Sequence, residues 1–131
     1  MFVDASAIVA VLEQEPGWED LVRAIDAADR CYTSAFSHWE AVNATARIRN
    51  DDLSSTQPAV DVMIAEARIS VVEIDADIGR MAIDAARRCG KGRRPARLNM
   101  GDCFSYACAK ALGVPLLYKG GEIALTDIAT A

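Results

Sequence analysis

The sequence has few residues that bind metals through sulfur or imidazole. Its 131 residues include four cysteines, none of them in a Cys-x-x-Cys pair, and one histidine, His38. A structural zinc site needs four such ligands at close spacing, so the sequence argues against bound zinc. We therefore expect the cysteines to be reduced and to act as small core residues. They are Cys31, Cys89, Cys103 and Cys108.

Long hydrophobic runs are also absent. The apolar segments are short and interrupted by charged residues, whereas a helix that crosses a bilayer needs about 20 consecutive apolar residues. The first residues, Met1-Phe2-Val3-Asp4, lack the basic start of a signal peptide. We expect a cytoplasmic protein that makes no contact with a membrane.

Positive charge is in deficit, since the formal net charge is −5. A protein that simply coats nucleic acid is normally basic, so a plain nucleic-acid-binding module is disfavoured. A nuclease whose acids are concentrated at a metal site is compatible with this charge. Apolar residues make up 52% of the chain and charged residues 25%. This composition is globular, and we expect one domain over residues 1–131 with its own core.

Apolar patterning predicts strands that alternate with helices. Short apolar runs predict four strands, at residues 2–4, 31–34, 69–74 and 114–118. Helical periodicity predicts one helix that begins near Pro16 and others at residues 5–13, 36–49, 59–68, 75–89 and 99–112. A polar linker is expected at residues 51–56. This order predicts an α/β fold, a three-layer sandwich with a mostly parallel central sheet flanked by helices.

Asp4 and Asp102 lie at positions where an acid can serve either as a ligand or as a helix cap. Asp4 ends the first predicted strand, and ligands of open α/β sheets bind at the carboxyl ends of strands. Asp is also a preferred N-cap, and the two interpretations of Asp4 carry equal weight. Asp102 lies three residues after Asn99, the expected N-cap of the last helix. A carboxylate there is stabilised by the helix dipole, but it also stands at a helix mouth near the strand ends.

Three further acids are weaker candidates when each is considered alone. Glu40 lies inside the third helix, where a solvated side chain or a partner of Arg47 is the simpler interpretation. Glu122 and Asp127 follow the Gly120-Gly121 turn after the last strand. A turn of this kind can place an acid near the strand ends, although a surface position is more common.

Several carboxylates in one place repel one another, and a divalent cation neutralises them. Without paired His or Cys ligands, an all-oxygen site indicates Mg²⁺ or Mn²⁺. Such a metal converts water to hydroxide and stabilises charge on a phosphate, as phosphodiester hydrolysis requires. Residues 87–97 contain six basic residues and no acid. This segment is expected either to hold a nucleic-acid backbone or to be an ordinary solvated loop.

Four blocks of the sequence, taken together and in this order, resemble one known family. They are Met1-Phe2-Val3-Asp4-Ala5-Ser6 through Ala10, Thr33-Ser34 through Trp39-Glu40, Leu98-Asn99-Met100-Gly101-Asp102-Cys103-Phe104-Ser105-Tyr106-Ala107, and Pro115 to Gly120 with Thr126-Asp127-Ile128. The chain resembles the PIN-domain ribonucleases, and among them the VapC toxins of bacterial toxin–antitoxin pairs. The block around Asp102 is the most specific, and the resemblance covers nearly the whole chain.

The resemblance implies a catalytic site of Asp4, Glu40, Asp102 and a fourth acid, the first three holding Mg²⁺ or Mn²⁺. It implies endonucleolytic cleavage of RNA, a cognate VapB-type antitoxin that blocks the site, and a homodimer. Ser6 would support Asp4 by hydrogen bonding. Relatives usually carry Asp-Phe where this chain has Glu122-Ile123. We therefore expect Glu122 as the fourth acid, with Asp127 as the alternative.

Two other functions fit parts of the pattern. A receiver-like signalling domain also uses strand-end acids, Mg²⁺ and a Lys after the last strand, for which Lys119 is available. It needs a phospho-acceptor Asp at the end of a middle strand, and only Asp75 could serve. The second alternative is a non-catalytic interaction module with a degenerate site, and the intact acids argue against it.

Overall fold

The computed structural model describes residues 1–89, 98–120 and 127–131. Its strands are β1 (Phe2–Val3), β2 (Cys31–Ser34), β3 (Ile69–Val72) and β4 (Leu116–Leu117). Its helices are α1 (Ala5–Leu12), α2 (Trp18–Ala27), α3 (Ala35–Arg49), α4 (Leu53–Glu66), α5 (Ala76–Cys89) and α6 (Met100–Leu112).

The strands form one sheet in the order β3-β2-β1-β4, and each neighbouring pair is parallel. In the central strand β1, Phe2 is in register with Tyr32 on one side and with Leu116 on the other. Parallel strands need crossover connections, which are usually helices that cover the faces of the sheet. The predicted α/β fold with a parallel central sheet is confirmed.

Neighbouring residues of β1 and β4 pack in different layers. Phe2 and Leu116 pack with residues of α5 and α6 in one core. Val3 and Leu117 pack with residues of α1, α3 and α4 in a second core. Because side chains alternate along a strand, even the two-residue strands β1 and β4 contribute to both faces. The sheet is therefore the middle of three layers, and β1 runs through the centre of the molecule.

The polar linker expected at residues 51–56 is wrong, because α4 already begins at Leu53. Asp52 is its N-cap: the carboxylate accepts the Ser55 backbone N–H at 2.8 Å and the Ser54 hydroxyl at 2.7 Å. Thr56 is buried and its hydroxyl donates to the Asp52 carbonyl. Residues that cap helices are also typical of loops, so composition alone did not distinguish the two.

The cysteines have the state that the sequence analysis predicts. All four cysteines are free thiols; Cys31, Cys103 and Cys108 are buried and Cys89 is half-buried. Burial raises the pKa of both Cys103 and Cys108 to about 11, which keeps these thiols neutral and unreactive.

In the part of the chain that the structure describes, no helix has the length and apolar character needed to span a membrane.

Candidate active site

A cleft of about 410 Å³ opens at the carboxyl end of β1. Its walls come from α1, α3, the start of α6 and the segment after β4. The ionisable residues that line it are Asp4, Glu15, Glu40, Arg47, Asp102 and Lys119. Three acids of the predicted site, distant in sequence, therefore share one cleft.

Asp4 is held in place by the residue two positions after it. Its Oδ2 accepts the backbone N–H of Ser6 at 2.9 Å and the Ser6 hydroxyl at 2.5 Å. The same hydroxyl accepts the backbone N–H of Lys119 at 2.9 Å, which ties the segment after β4 to the end of β1. Asp4 is thus the N-cap of α1 and also lines the cleft. The N-cap interpretation and the expected support from Ser6 are confirmed, and the ligand-site interpretation stays a prediction.

A chain of buried serines reaches the other oxygen of Asp4. The Ser105 hydroxyl donates to Asp4 Oδ1 at 2.6 Å, and it lies 3.2 Å from the Ser37 hydroxyl, which lies 3.1 Å from that of Ser34. All three serines are completely buried. Because an ionised carboxylate only accepts, each hydroxyl proton points toward Asp4, and the chain is aligned in one direction. Such alignment fixes the Asp4 carboxylate.

The hydrogen-bonded chain of serines was not predicted from the sequence, because hydrophobic periodicity takes no account of serine. The available signal was the three-residue spacing from Asp102 to Ser105, which puts both on neighbouring positions of α6.

Asp102 lies in a capping box at the start of α6. Its backbone N–H donates to Asn99 Oδ1 at 3.0 Å, and the Asn99 backbone N–H donates to Asp102 Oδ2 at 2.7 Å. Asn99 is therefore the N-cap, as predicted. Both side chains line the cleft. Like Asp4, Asp102 is held by hydrogen bonds at the start of a helix, and this position also places it at the cleft.

Glu40 reaches the cleft from α3 and lies against the first turn of α6. A Cβ atom placed on Gly101 would lie 2.6 Å from Cδ of Glu40, so the Glu40 carboxylate occupies the space that the glycine leaves and would have to move if a larger residue stood there. Burial, and then the charges of Asp4 and Asp102, raise the pKa of Glu40 to about 7, against the opposing effect of Arg47. The solvated Glu40 favoured by helical spacing alone is wrong, since the side chain is half-buried.

The structure describes only one of the two candidates for the fourth acid, Asp127. Asp127 accepts the Tyr106 hydroxyl at 2.5 Å and Lys110 Nζ at 2.6 Å, and these hydrogen bonds lower its pKa to about 2. Asp127 is not among the described residues that line the cleft. Its contacts hold the C-terminal segment to α6. Glu122 lies outside the described residues, and so do residues 90–97 of the basic segment.

The donor atoms of the cleft suit a hard divalent cation. Asp4, Glu40 and Asp102 offer only oxygen, which Mg²⁺ and Mn²⁺ prefer. Lys119 pairs with Glu15 at 3.1 Å, so within the described lining Arg47 is the one other cation facing these three acids. Over residues 1–89, 98–120 and 127–131, however, no three His, Cys, Asp or Glu side chains are grouped tightly enough to enclose an ion. The cleft brings the carboxylates together without a closed coordination shell.

The geometry disfavours a receiver-like site. Asp75 follows β3 at the edge of the sheet, two strands away from β1. Its carboxylate accepts the backbone N–H groups of Asp77 and Ile78, at 2.9 and 2.8 Å. It therefore caps the start of α5, and the described lining of the acidic cleft does not include it.

Gly101→Ala is expected to destabilise the protein by no more than about 1 kcal/mol, because the added methyl group must displace the Glu40 carboxylate, which is the far end of a flexible side chain. In a Glu40→Ala background the same change should stabilise by up to about 1 kcal/mol, since alanine favours a helix over glycine. Urea unfolding of the four proteins in this cycle measures both effects. An equal destabilisation in the two backgrounds would contradict the contact between Glu40 and Gly101.

The chain matches known proteins over nearly its whole length. The family model of the PIN domain matches residues 1–129. A VapC ribonuclease of Rhizobium meliloti is 40% identical over 139 residues, which cover 97% of this chain and 98% of that protein. The solved structure of VapC20 from Mycobacterium tuberculosis, a sarcin-ricin loop cleaving toxin, has a TM-score of 0.77 at 16% identity and covers 99% of this chain and 97% of that one. A chain of a toxin–antitoxin complex from Klebsiella pneumoniae has a TM-score of 0.69 at 14% identity, with 99% and 95% covered.

Proposed function

Since the chain belongs to the PIN domain family, and within it to the VapC ribonucleases, we propose that it is the toxin of a type II toxin–antitoxin pair and hydrolyses RNA phosphodiester bonds as a metal-dependent endoribonuclease. One observation carries the proposal. Three carboxylates from different parts of the chain, Asp4, Glu40 and Asp102, line one cleft at the carboxyl end of the central strand.

Asp4, Glu40 and Asp102 would hold Mg²⁺ or Mn²⁺. When bound, the metal would lower the pKa of a water molecule and stabilise the negative charge that develops on the phosphate. Two features support this assignment: the oxygen-only donors, and the burial and negative charges of Asp4 and Asp102 that together raise the pKa of Glu40. The same negative charges would repel an RNA phosphate in the absence of a cation. Glu122 stays the proposed fourth acid.

Neighbouring residues of the chain position the three carboxylates for this reaction. Ser6 and Ser105 each donate to one oxygen of Asp4, so the orientation of the carboxylate is fixed. Asn99 holds Asp102 through the capping box. Gly101 leaves the space in which the Glu40 carboxylate approaches the other two acids. A site whose carboxylates are fixed by their neighbours needs less rearrangement when it acts.

The proposed partners are a VapB-type antitoxin, RNA and a second copy of the chain in a homodimer, in the cytoplasm. The antitoxin is supported by the similarity to VapC proteins and by the fold shared with a chain of a toxin–antitoxin complex. RNA is supported by relatives named as ribonucleases.

Cleavage of RNA by the purified, antitoxin-free protein tests the proposal. We expect transfer, ribosomal or messenger RNA to be cut at internal positions when Mg²⁺ or Mn²⁺ is present. EDTA should stop cleavage, and excess Mn²⁺ should restore it, because the acidic cleft repels phosphate without a cation. Cleavage that continues unchanged in EDTA would contradict the metal-dependent mechanism.

A further inference from the structure

A row of side chains on α3 borders the acidic cleft, with Trp39 and Arg47 exposed and Asn43 half-buried. Trp39, Asn43 and Arg47 all line the cleft, and their four-residue spacing puts them on one face of the helix. We propose that this row, the α3 stripe, binds the single-stranded part of the RNA substrate, with an unpaired base stacked on Trp39 and a backbone phosphate on Arg47. The inference rests on the proposed ribonuclease function and identifies residues that would contact its substrate.

Trp39 is exposed yet held by its neighbours. Its side chain is 58% exposed, although its ring lies 6.0 Å from that of Phe36, which in turn lies 5.2 Å from the ring of Phe104. This aromatic cluster connects α3 to α6, the helix that carries Asp102. A large ring that is fixed in position and open to solvent beside a cleft is suited to stacking with a base.

Arg47 supplies the complementary charge. It lies eight residues after Trp39 on α3, about 12 Å along the helix axis, and it is exposed. Its positive charge acts on Glu40, and both residues line the cleft. A strand that stacks on Trp39 and contacts Arg47 would pass along the cleft, where Asp4, Glu40 and Asp102 lie.

The position of the stripe favours RNA over a protein partner. Trp and Arg are also common in protein interfaces, but these residues line the same cleft as Asp4, Glu40 and Asp102, where an RNA strand must lie in order to be cleaved. Asn43 Nδ2 donates to the Trp39 carbonyl at 2.8 Å, which keeps this polar group on the stripe. Ile48 on the same helix is 54% exposed but does not line the cleft, so it offers a matched control.

Fluorescence of Trp39 measures stacking directly. A Trp18→Phe variant leaves Trp39 as the only tryptophan. Short oligo(A) RNA serves as the probe, because stacking tolerates any base sequence. Ca²⁺ replaces Mg²⁺, since its larger and looser coordination shell should permit binding while slowing cleavage. We expect saturable quenching of Trp39 as the RNA is added.

The binding variants are compared by anisotropy of labelled oligo(A) in the otherwise unchanged protein. Trp39→Ala is expected to weaken binding about 10- to 100-fold, the usual effect of removing one stacking ring. Trp39→Phe should restore most of the affinity. Arg47→Gln should reduce the slope of log affinity against log salt by about 1, as loss of one phosphate contact does. Ile48→Ala and Arg23→Gln, both away from the cleft, should match the wild type.

Each result supports or overturns the inference separately from the proposed function. If Trp39→Ala binds Mn²⁺ as the wild type does but has a raised KM for RNA, the α3 stripe is the substrate surface. If the RNA quenches nothing and Trp39→Ala binds it normally while the wild type cleaves RNA, the inference is wrong and the ribonuclease stands. If Trp39→Ala instead changes only the oligomeric state in sedimentation, Trp39 contacts another protein chain and the inference is again wrong. A wild type that neither binds metal nor cleaves RNA defeats the proposed function itself.

Discussion

Asp4→Asn is expected to lower the rate of RNA cleavage by roughly 10³-fold or more, because it removes a negative metal ligand worth several kcal/mol at the transition state. The fold should be preserved. Asn is as good an N-cap as Asp, so the bond from the Ser6 backbone N–H can persist. Single-turnover cleavage and thermal unfolding measure the two quantities.

Asp52→Asn is the matched control for this variant. Asp52 is also an N-cap and accepts a backbone N–H at 2.8 Å, but it caps α4 and does not line the cleft. It should cleave RNA at the wild-type rate. Ser105→Ala keeps Asp4 and removes only its hydrogen bond to Oδ1, so a loss of about 10- to 100-fold is expected. Normal turnover in Asp4→Asn would defeat the assignment of the site.

The affinity for Mn²⁺ is expected to rise steeply with pH near neutrality. The pKa of Glu40 is raised to about 7, so below that pH a proton must leave before the carboxylate can bind a metal. For one displaced proton, the affinity should increase about 25-fold between pH 5.5 and 7.5 and level off above this range. Calorimetric titration at a series of pH values measures the profile.

Glu40→Gln is the control for the pH profile, because glutamine does not titrate. Its weaker Mn²⁺ binding should be nearly constant over the same range. The stability of the metal-free protein should show the opposite trend. The folded pKa of Glu40 lies above its ordinary value of 4.5, so the unfolded state ionises first and stability falls as the pH rises from about 4.5 to 7. A flat wild-type profile would show that Glu40 does not bind the metal.

The parallel sheet could be predicted from the sequence because strands such as β1 and β4 are buried on both faces. Phe2-Val3 and Leu116-Leu117 are short, continuous apolar runs, as parallel strands covered by helices should be. Asp4 and Asp102 were found for a similar reason, since each follows a recognisable boundary. The sequence could not decide between cap and ligand site, and the structure places both acids at helix starts beside one cleft, a position that is compatible with both roles.

Contacts between distant elements could not be predicted. The position of Glu40 depends on how α3 packs on α6 and on the missing side chain of Gly101, which no local pattern encodes. Ala111 and Leu112 continue the apolar pattern of α6, and both are exposed. The buried part is centred on residues 103–109, because α3, α5 and the sheet all pack against α6. Ser105 is buried there as the donor to Asp4, a role that hydropathy alone would not suggest.

Binding of Mn²⁺ by the purified, antitoxin-free protein tests the central claim most directly, since it requires no knowledge of the RNA sequence. Calorimetric titrations of the wild type, Asp4→Asn, Asp102→Asn and the control Asp52→Asn should be made at pH 7.5, where Glu40 is mostly ionised. We expect saturable binding by the wild type and by Asp52→Asn, and its loss in both cleft variants, because Asp4 and Asp102 share one site. A wild type that binds no Mn²⁺, or cleft variants that bind it as tightly as the wild type, would contradict the claim and leave Asp4 and Asp102 as helix caps alone.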